Sequence, residues 1–106
     1  MKKLTEIKCP YEKSIKILGD KYDLLIIKEL YLNNKPLRFN EMLRNLKPLS
    51  SKTLSIKLKD LLNNGIINKQ IISTMPLITN YQLTEKGEEL KNLLELMAQW
   101  AIKWYK

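Results

Sequence analysis

Ser50, Ser51, Lys52 and Thr53, followed by Ser55, Ile56 and Lys59, set hydroxyls and ammonium groups at helical spacing with no acid among them. Hydroxyls bond to phosphate oxygens or base edges, and lysine supplies charge or a contact to guanine. That is chemistry for holding a polyanion. The same stripe also suits an ordinary solvated helix face. Its place, directly after a tight turn at Lys47, Pro48 and Leu49 and ahead of a hairpin, shifts the reading towards DNA. The second reactive feature is Cys9, next to Pro10 and between Lys8 and Lys13. Proline suits the first position of a helix, so Cys9 stands at or beside the N-cap. A helix N-terminus and nearby lysines favour a thiolate, the form that meets oxidants and electrophiles. The plain alternative is a small buried or capping residue.

Other chemistries are poorly served. The chain has no histidine, which removes His-based acid–base work, Ser-His triads and most zinc sites. Its three glycines are isolated, so no phosphate-cradling loop is expected. Glu88 and Glu89 fit a solvated helix start better than a catalytic pair. No enzyme, cofactor or metal is expected.

With 106 residues, the chain suffices for one domain and one modest core. At 44% hydrophobic and 28% charged, the composition is that of a globular protein. No apolar run is long enough to span a bilayer, and the N-terminus lacks the apolar stretch of a signal peptide. A single cysteine fits a reducing cytoplasm. The net charge of +8 favours a polyanionic partner. All but two of the 19 basic residues are lysine, the exceptions being Arg38 and Arg44. They are spread along the chain, unlike a polybasic lipid anchor.

Elements must position these groups. From Pro10, a first helix carries Tyr11, Ile15 and Leu18 on one face and ends at Gly19. Asp20 caps a second helix, with Asp23 placed as in a capping box. Leu24, Leu25, Ile26, Ile27, Leu30, Tyr31 and Leu32 nearly encircle that helix, which should form the buried centre. Residues 33–36 form a turn. Residues 37–39 are extended, a candidate short strand beside the later hairpin. Asn40 is the expected cap of a third helix, with Met42, Leu43 and Leu46 inward. Ser50 caps the fourth, whose buried stripe is Leu54, Leu58, Leu61 and Leu62. Gly65 stops it. Alternating runs at 66–73 and 79–83 flank a tip bearing Met75 and Pro76. A last helix over 84–105 carries Leu90, Leu93, Met97, Trp100 and Trp104 at spacings of three and four, the seam of a paired helix. Leu94, Leu96, Ala101, Ile102 and Tyr105 widen it beyond one face. The surplus predicts a subunit interface, and a two-fold dimer fits a palindromic operator.

The expected fold is mainly α with a small β-hairpin: a winged helix-turn-helix in the order α-α-β-α-α-β-β-α. It fills residues 1–106 as one DNA-binding domain, with 84–105 as the dimerisation helix. The alternative within this frame is a winged helix used for protein or RNA contact, without operator specificity.

Ordered segments sharpen the reading. They are Cys9-Pro10 ahead of Glu12; Gly19-Asp20-Lys21-Tyr22; Leu24-Leu25-Ile26; Arg38-Phe39-Asn40-Glu41-Met42; Ser50-Ser51-Lys52-Thr53-Leu54; and Tyr81-Gln82-Leu83-Thr84 ahead of Gly87. In order and spacing the chain resembles the HxlR family of bacterial and archaeal transcriptional regulators, relatives of the MarR group. The resemblance implies a cytoplasmic homodimer, joined by terminal helices, that binds double-stranded operator DNA to repress or activate nearby genes. It implies that the fourth helix is the recognition helix, with Ser51, Lys52, Thr53, Ser55, Ile56 and Lys59 as contact candidates beside the cap Ser50. Arg38 is then a candidate phosphate contact, and the hairpin is the wing. Many members carry an arginine after the wing proline, suited to a narrow minor groove; here Leu77 and Ile78 follow it. Lys69 and Thr74 remain as backbone contacts. The apolar tip instead suits packing on sugars or on a partner subunit. Some relatives sense oxidants or electrophiles through a cysteine placed like Cys9, which makes an oxidant or small-molecule effector a candidate partner.

Overall fold

The structure is a computed structural model and describes residues 4–105. The charged residues at positions 2 and 3 lie outside that range. A 3-10 turn at Leu4–Glu6 leads into α1 (Pro10–Leu18), α2 (Lys21–Asn33), β1 (Leu37–Arg38), α3 (Phe39–Asn45), α4 (Ser51–Asn63), β2 (Ile67–Thr74), β3 (Leu77–Leu83), α5 (Glu85–Glu88) and α6 (Lys91–Trp104). This is the expected winged helix-turn-helix order, with one difference in the last helix.

The helix boundaries follow local chemistry. Pro10 opens α1 behind Cys9, whose side chain makes no capping hydrogen bond. Asp20 caps α2 by accepting the Tyr22 N–H at 2.8 Å. Asp23 does not complete a capping box: it is buried, and its Oδ1 has no hydrogen-bond partner. Asn34 ends α2 in the left-handed region (φ 51°), which asparagine tolerates. The N-cap of α3 is Arg38 rather than Asn40. The Glu41 carboxylate reaches back to accept the Arg38 N–H at 3.1 Å, which brings the helix start forward.

The core gathers Ile26, Ile27 and Leu30 of α2, Leu37 of β1, Met42 of α3, Leu54, Leu58 and Leu61 of α4, and Ile66, Ile67 and Tyr81 of the hairpin. Leu46 and Leu49 are also buried, so the turn between α3 and α4 is packed down at both ends. On α2 the buried arc is narrower than expected, since Leu32 is exposed. Ile17 and Leu18 hold α1 to the core. Tyr11 and Ile15, whose spacing suggests an inward face, point to solvent.

The sheet has the order β1-β3-β2, all antiparallel. Leu37 pairs with Tyr81 and Arg38 with Asn80, as the short-strand reading expects. The wing hairpin is tighter than its sequence suggests. Its strands reach Thr74 and Leu77, leaving only Met75 and Pro76 at the tip.

The last helix is not continuous. A tighter turn at Glu89 and Leu90 divides α5 from α6, with the Leu90 N–H bonded to the Gly87 carbonyl. The anchors explain it. Gly87 packs so closely on the Ile66 carbonyl that a Cβ would collide with it, while Leu90 and Leu94 reach back to the core. Leu90 therefore packs within its own chain.

Candidate nucleic-acid interface

Both ends of α4 are fixed. At its start the Ser50 hydroxyl accepts the Thr53 N–H at 3.1 Å and donates to the Thr53 hydroxyl at 3.0 Å. Those two hydroxyls are engaged in capping. At its end Gly65 takes φ 70°, the Ile66 N–H bonds to the Leu61 carbonyl, and the Gly65 N–H bonds to that of Leu62. This double closure needs a residue that enters the left-handed region without cost. The Lys86 ammonium also donates to the Asn64 carbonyl at 2.6 Å. Thr84 ties the wing's exit to the same place, its N–H bonded to the Ile66 carbonyl at 3.0 Å.

With Leu54, Leu58 and Leu61 buried, the other side of α4 is presented to solvent. Ser51, Lys52, Ser55, Ile56 and Lys59 are all exposed there, at spacings of three and four that share one face. Ile56 keeps half of its surface open in a protein whose other α4 aliphatics are covered. Thr53 is half-buried. Between Lys52 and Lys59, Lys57 turns inward, and its ammonium meets Asp20 Oδ2 at 2.8 Å. The pair holds the Asp20 carboxyl below the usual carboxylate range and raises Lys57 above that of lysine. The sequence gives no sign of this bridge, since Asp20 reads there only as a cap.

Arg38 is exposed at the junction of β1 and α3. It lines a polar cleft between α3 and the wing with Asn40, Arg44 and Thr79. Arg44 reads in the sequence only as one of two arginines; it lies one helical turn from Asn40, and that spacing could reveal its place in the cleft. Lys69 is exposed on β2, its ammonium 6.0 Å from the Tyr81 ring centre, and Thr74 is exposed beside the tip. Met75 is almost wholly exposed, so the tip is apolar and unpacked.

The remaining candidates lie on α1 and α6. Cys9 is half-buried. Leu93, Met97, Trp100 and Trp104 are exposed in the single chain, with Trp100 at 59%. They share that surface with Leu96 and Ala101, which line an apolar groove with three of them. The Trp100 and Tyr105 rings pack at 5.6 Å between centres. Among the described residues no helix is long and apolar enough to cross a membrane.

Known proteins match this arrangement. The model of the HxlR-like helix-turn-helix family matches residues 17–106. The HTH-type transcriptional regulator YvaP of Bacillus subtilis is 35% identical over 97 residues, covering 91% of this chain and 88% of YvaP. YodB of the same organism, another HTH-type transcriptional regulator, is 35% identical over 94 residues, covering 88% of this chain and 82% of YodB. The structure of reduced YodB superposes with a TM-score of 0.79 over 94% of this chain and 97% of that one, at 33% identity in that alignment. YodB is also known in a diamide-treated form, with a TM-score of 0.74 over 94% of this chain and 98% of that one. A MarR-family regulator structure from Porphyromonas gingivalis W83 gives 0.84 at 30% identity, over 97% of this chain and 99% of that one. The fold is thus shared over nearly the whole chain, and the chain belongs to the HxlR-like helix-turn-helix family of transcriptional regulators, not to any class of enzyme.

Proposed function

We propose that the protein binds a palindromic operator as a homodimer, in the cytoplasm, with one α4 in the major groove of each half-site. The observation that carries this reading is the face of Lys52, Ser55, Ile56 and Lys59, open to solvent on a helix fixed at both ends. A fixed helix can read base edges, because its side chains arrive in one register. Lysine supplies phosphate contacts, and Ser55 and Ile56 offer a hydroxyl and a methyl-contacting group. Arg38, Ser51, Lys69 and Thr74 are the flanking backbone contacts. Ser50 and Thr53 act mainly through the cap they form.

The homodimer rests on the apolar face of α6. Leu93, Met97, Trp100 and Trp104, all exposed in the single chain, form the seam. Leu90 packs on its own core and supports the seam from within. Selecting bound fragments from the organism's own genome, then footprinting them, tests the reading. Two protected half-sites about one helical turn apart are expected. Equal weak binding to all duplexes would favour a protein- or RNA-contacting module instead.

A second reading concerns regulation. YodB has been solved both reduced and after diamide treatment. In this chain Cys9 stands at the start of α1, half-buried. Oxidation there would alter the start of α1, which packs on α2, and an oxidant or electrophile would be the effector.

A further inference from the structure

Lys57 departs from its neighbours on α4. Lys52 and Lys59 face solvent, whereas Lys57 is largely covered and its ammonium is held by Asp20 at 2.8 Å. Asp20 is fixed in turn. Its Oδ1 accepts the Tyr22 N–H at 2.8 Å, so one carboxylate caps α2 with one oxygen and grips α4 with the other. One turn into α2 lies Asp23, buried, with an Oδ1 that no hydrogen bond satisfies. Burial pushes its carboxyl up, with Asp20 and Asp60 adding to the rise, and the charge of Lys57 is what opposes it.

A leucine stripe sets which face of a helix turns to the core, but apolar attraction by itself has no direction. A charged hydrogen bond to an anchored carboxylate does have direction. We propose that Asp20 is a positioning residue for DNA recognition. Through Lys57 it sets the rotation of α4, and so the aim of Ser55, Ile56 and Lys59, without touching DNA. The inference rests on α4 being the helix that enters the groove. The pair is partly open to solvent, where ion pairs add little to stability, so its effect belongs to geometry more than to the fold's free energy.

The test uses the full chain, its selected operator fragment and a random duplex of equal length. Asparagine caps a helix as well as aspartate does. Asp20→Asn therefore keeps the cap, removes the grip and raises the net charge by one. Simple electrostatics predicts tighter DNA binding from that change; mispositioning predicts weaker operator binding. Lys57→Met changes the net charge the other way and should give the same result. Each is expected to reduce operator affinity by about tenfold, the size of one misread base pair. Random-duplex affinity should move far less, and the salt slope should stay within about half of the 0.9 expected for removing one phosphate interaction. Lys57→Arg should restore operator binding. Circular dichroism at the assay temperature verifies folding, and Asp20→Asn alone decides if Lys57→Met does not fold. Operator binding by Asp20→Asn as tight as wild type, or tighter, overturns the proposal. So does a Lys57→Met variant that weakens both duplexes equally and flattens the slope by about 0.9, the signature of a direct phosphate ligand. A wild type without operator preference overturns the reading of α4 itself, and the positioning role with it.

Discussion

Helices α4 and α6 have nearly the same length, 13 and 14 residues, and opposite faces to the world. In α4 the leucines go inward and the polar stripe goes out. In α6 only Leu94 reaches the core, after Leu90 at its cap, while Leu93, Leu96, Met97, Trp100 and Trp104 are left outside. Their supports differ as well. Helix α4 is held by a cap at its start, an ion pair at its middle and a double closure at its end. Helix α6 is tied to α2 by the Tyr31 hydroxyl, which donates to Glu95 Oε1 at 2.6 Å, with the Lys91 ammonium 5.4 Å from the same ring. A helix that presents polar groups to a polyanion must be aimed by its own chain. A helix that presents tryptophans can be completed by a second copy.

The largest effect should come from breaking the apolar side of that contrast. Trp100→Ala removes an exposed aromatic, so it should cost the single chain little and the proposed dimer a great deal. Anchors of this kind contribute at least about 2 kcal/mol, or roughly thirtyfold in association. Sedimentation velocity is the measurement: dimer for wild type in the micromolar range, monomer for the variant. Wild-type protein that sediments as monomer at high micromolar concentration would remove the contrast. Next comes the polar side. Lys52→Ala with Lys59→Ala should weaken binding to every duplex and lower the salt slope by about 0.9 for each phosphate no longer neutralised. Ser55→Ala should act on specificity instead. Titrations at several salt concentrations separate the two, and unchanged operator affinity in the lysine double variant would take α4 out of the groove.

The aiming ion pair can be separated from its buried neighbour by pH. Asp20 lies below its ordinary value, chiefly through the hydrogen bond from Lys57. Its contribution to stability is therefore complete above the unfolded value near ~3.9, and is lost as pH falls through the lowered folded value. Asp23 runs the other way, because burial raises it. The fold takes up that proton at a higher pH than the unfolded chain does. Acidification from neutral thus stabilises through Asp23 before the loss through Asp20 begins. Thermal melts should show Asp23→Asn with a higher midpoint than wild type at pH 7, by about a few degrees. The gap should narrow as pH falls from neutral towards the ordinary carboxylate range. A constant gap over that range would show that Asp23 is not titrating.

The sequence displays local chemistry better than long-range contact. The caps at Asp20 and Ser50, the Gly65 stop, the leucine stripe of α4 and the pairing of residues 37 and 38 with the hairpin all leave a pattern among near neighbours in the chain. They are readable for that reason. Lys57 looks like one more lysine on a basic helix, because its partner is 37 residues away. Asp23 has the spacing of a capping box, yet packing takes it inside. Tyr11 and Ile15 have core-like spacing, yet point outward. Periodicity reveals that a face is apolar and leaves open whether the same chain or another covers it. The break before α6 is hidden for a similar reason: it depends on Gly87 meeting the Ile66 carbonyl across the wing.

The smallest and most conditional effect concerns Cys9, which belongs to neither of the two helices compared. It is half-buried at the start of α1, and its side chain makes no capping bond, so Cys9→Ser should leave the fold and basal operator binding nearly unchanged. The described residues hold no second cysteine, nor does the rest of the sequence. Oxidation of Cys9 can then end in a sulfenic acid, a mixed disulfide with a small thiol, or a bridge to a second copy. Each adds bulk or a covalent tie at the start of α1, which packs on α2, the helix that contacts both α4 and α6. Operator binding is compared for wild type and Cys9→Ser before and after mild peroxide, diamide or a quinone. Wild-type affinity should shift by a few-fold or more and, for the disulfide products, return with dithiothreitol, while Cys9→Ser stays level. Non-reducing electrophoresis tells the bridge from the mixed disulfide. Equal responses from both proteins would leave Cys9 as the residue that precedes a helix and nothing further.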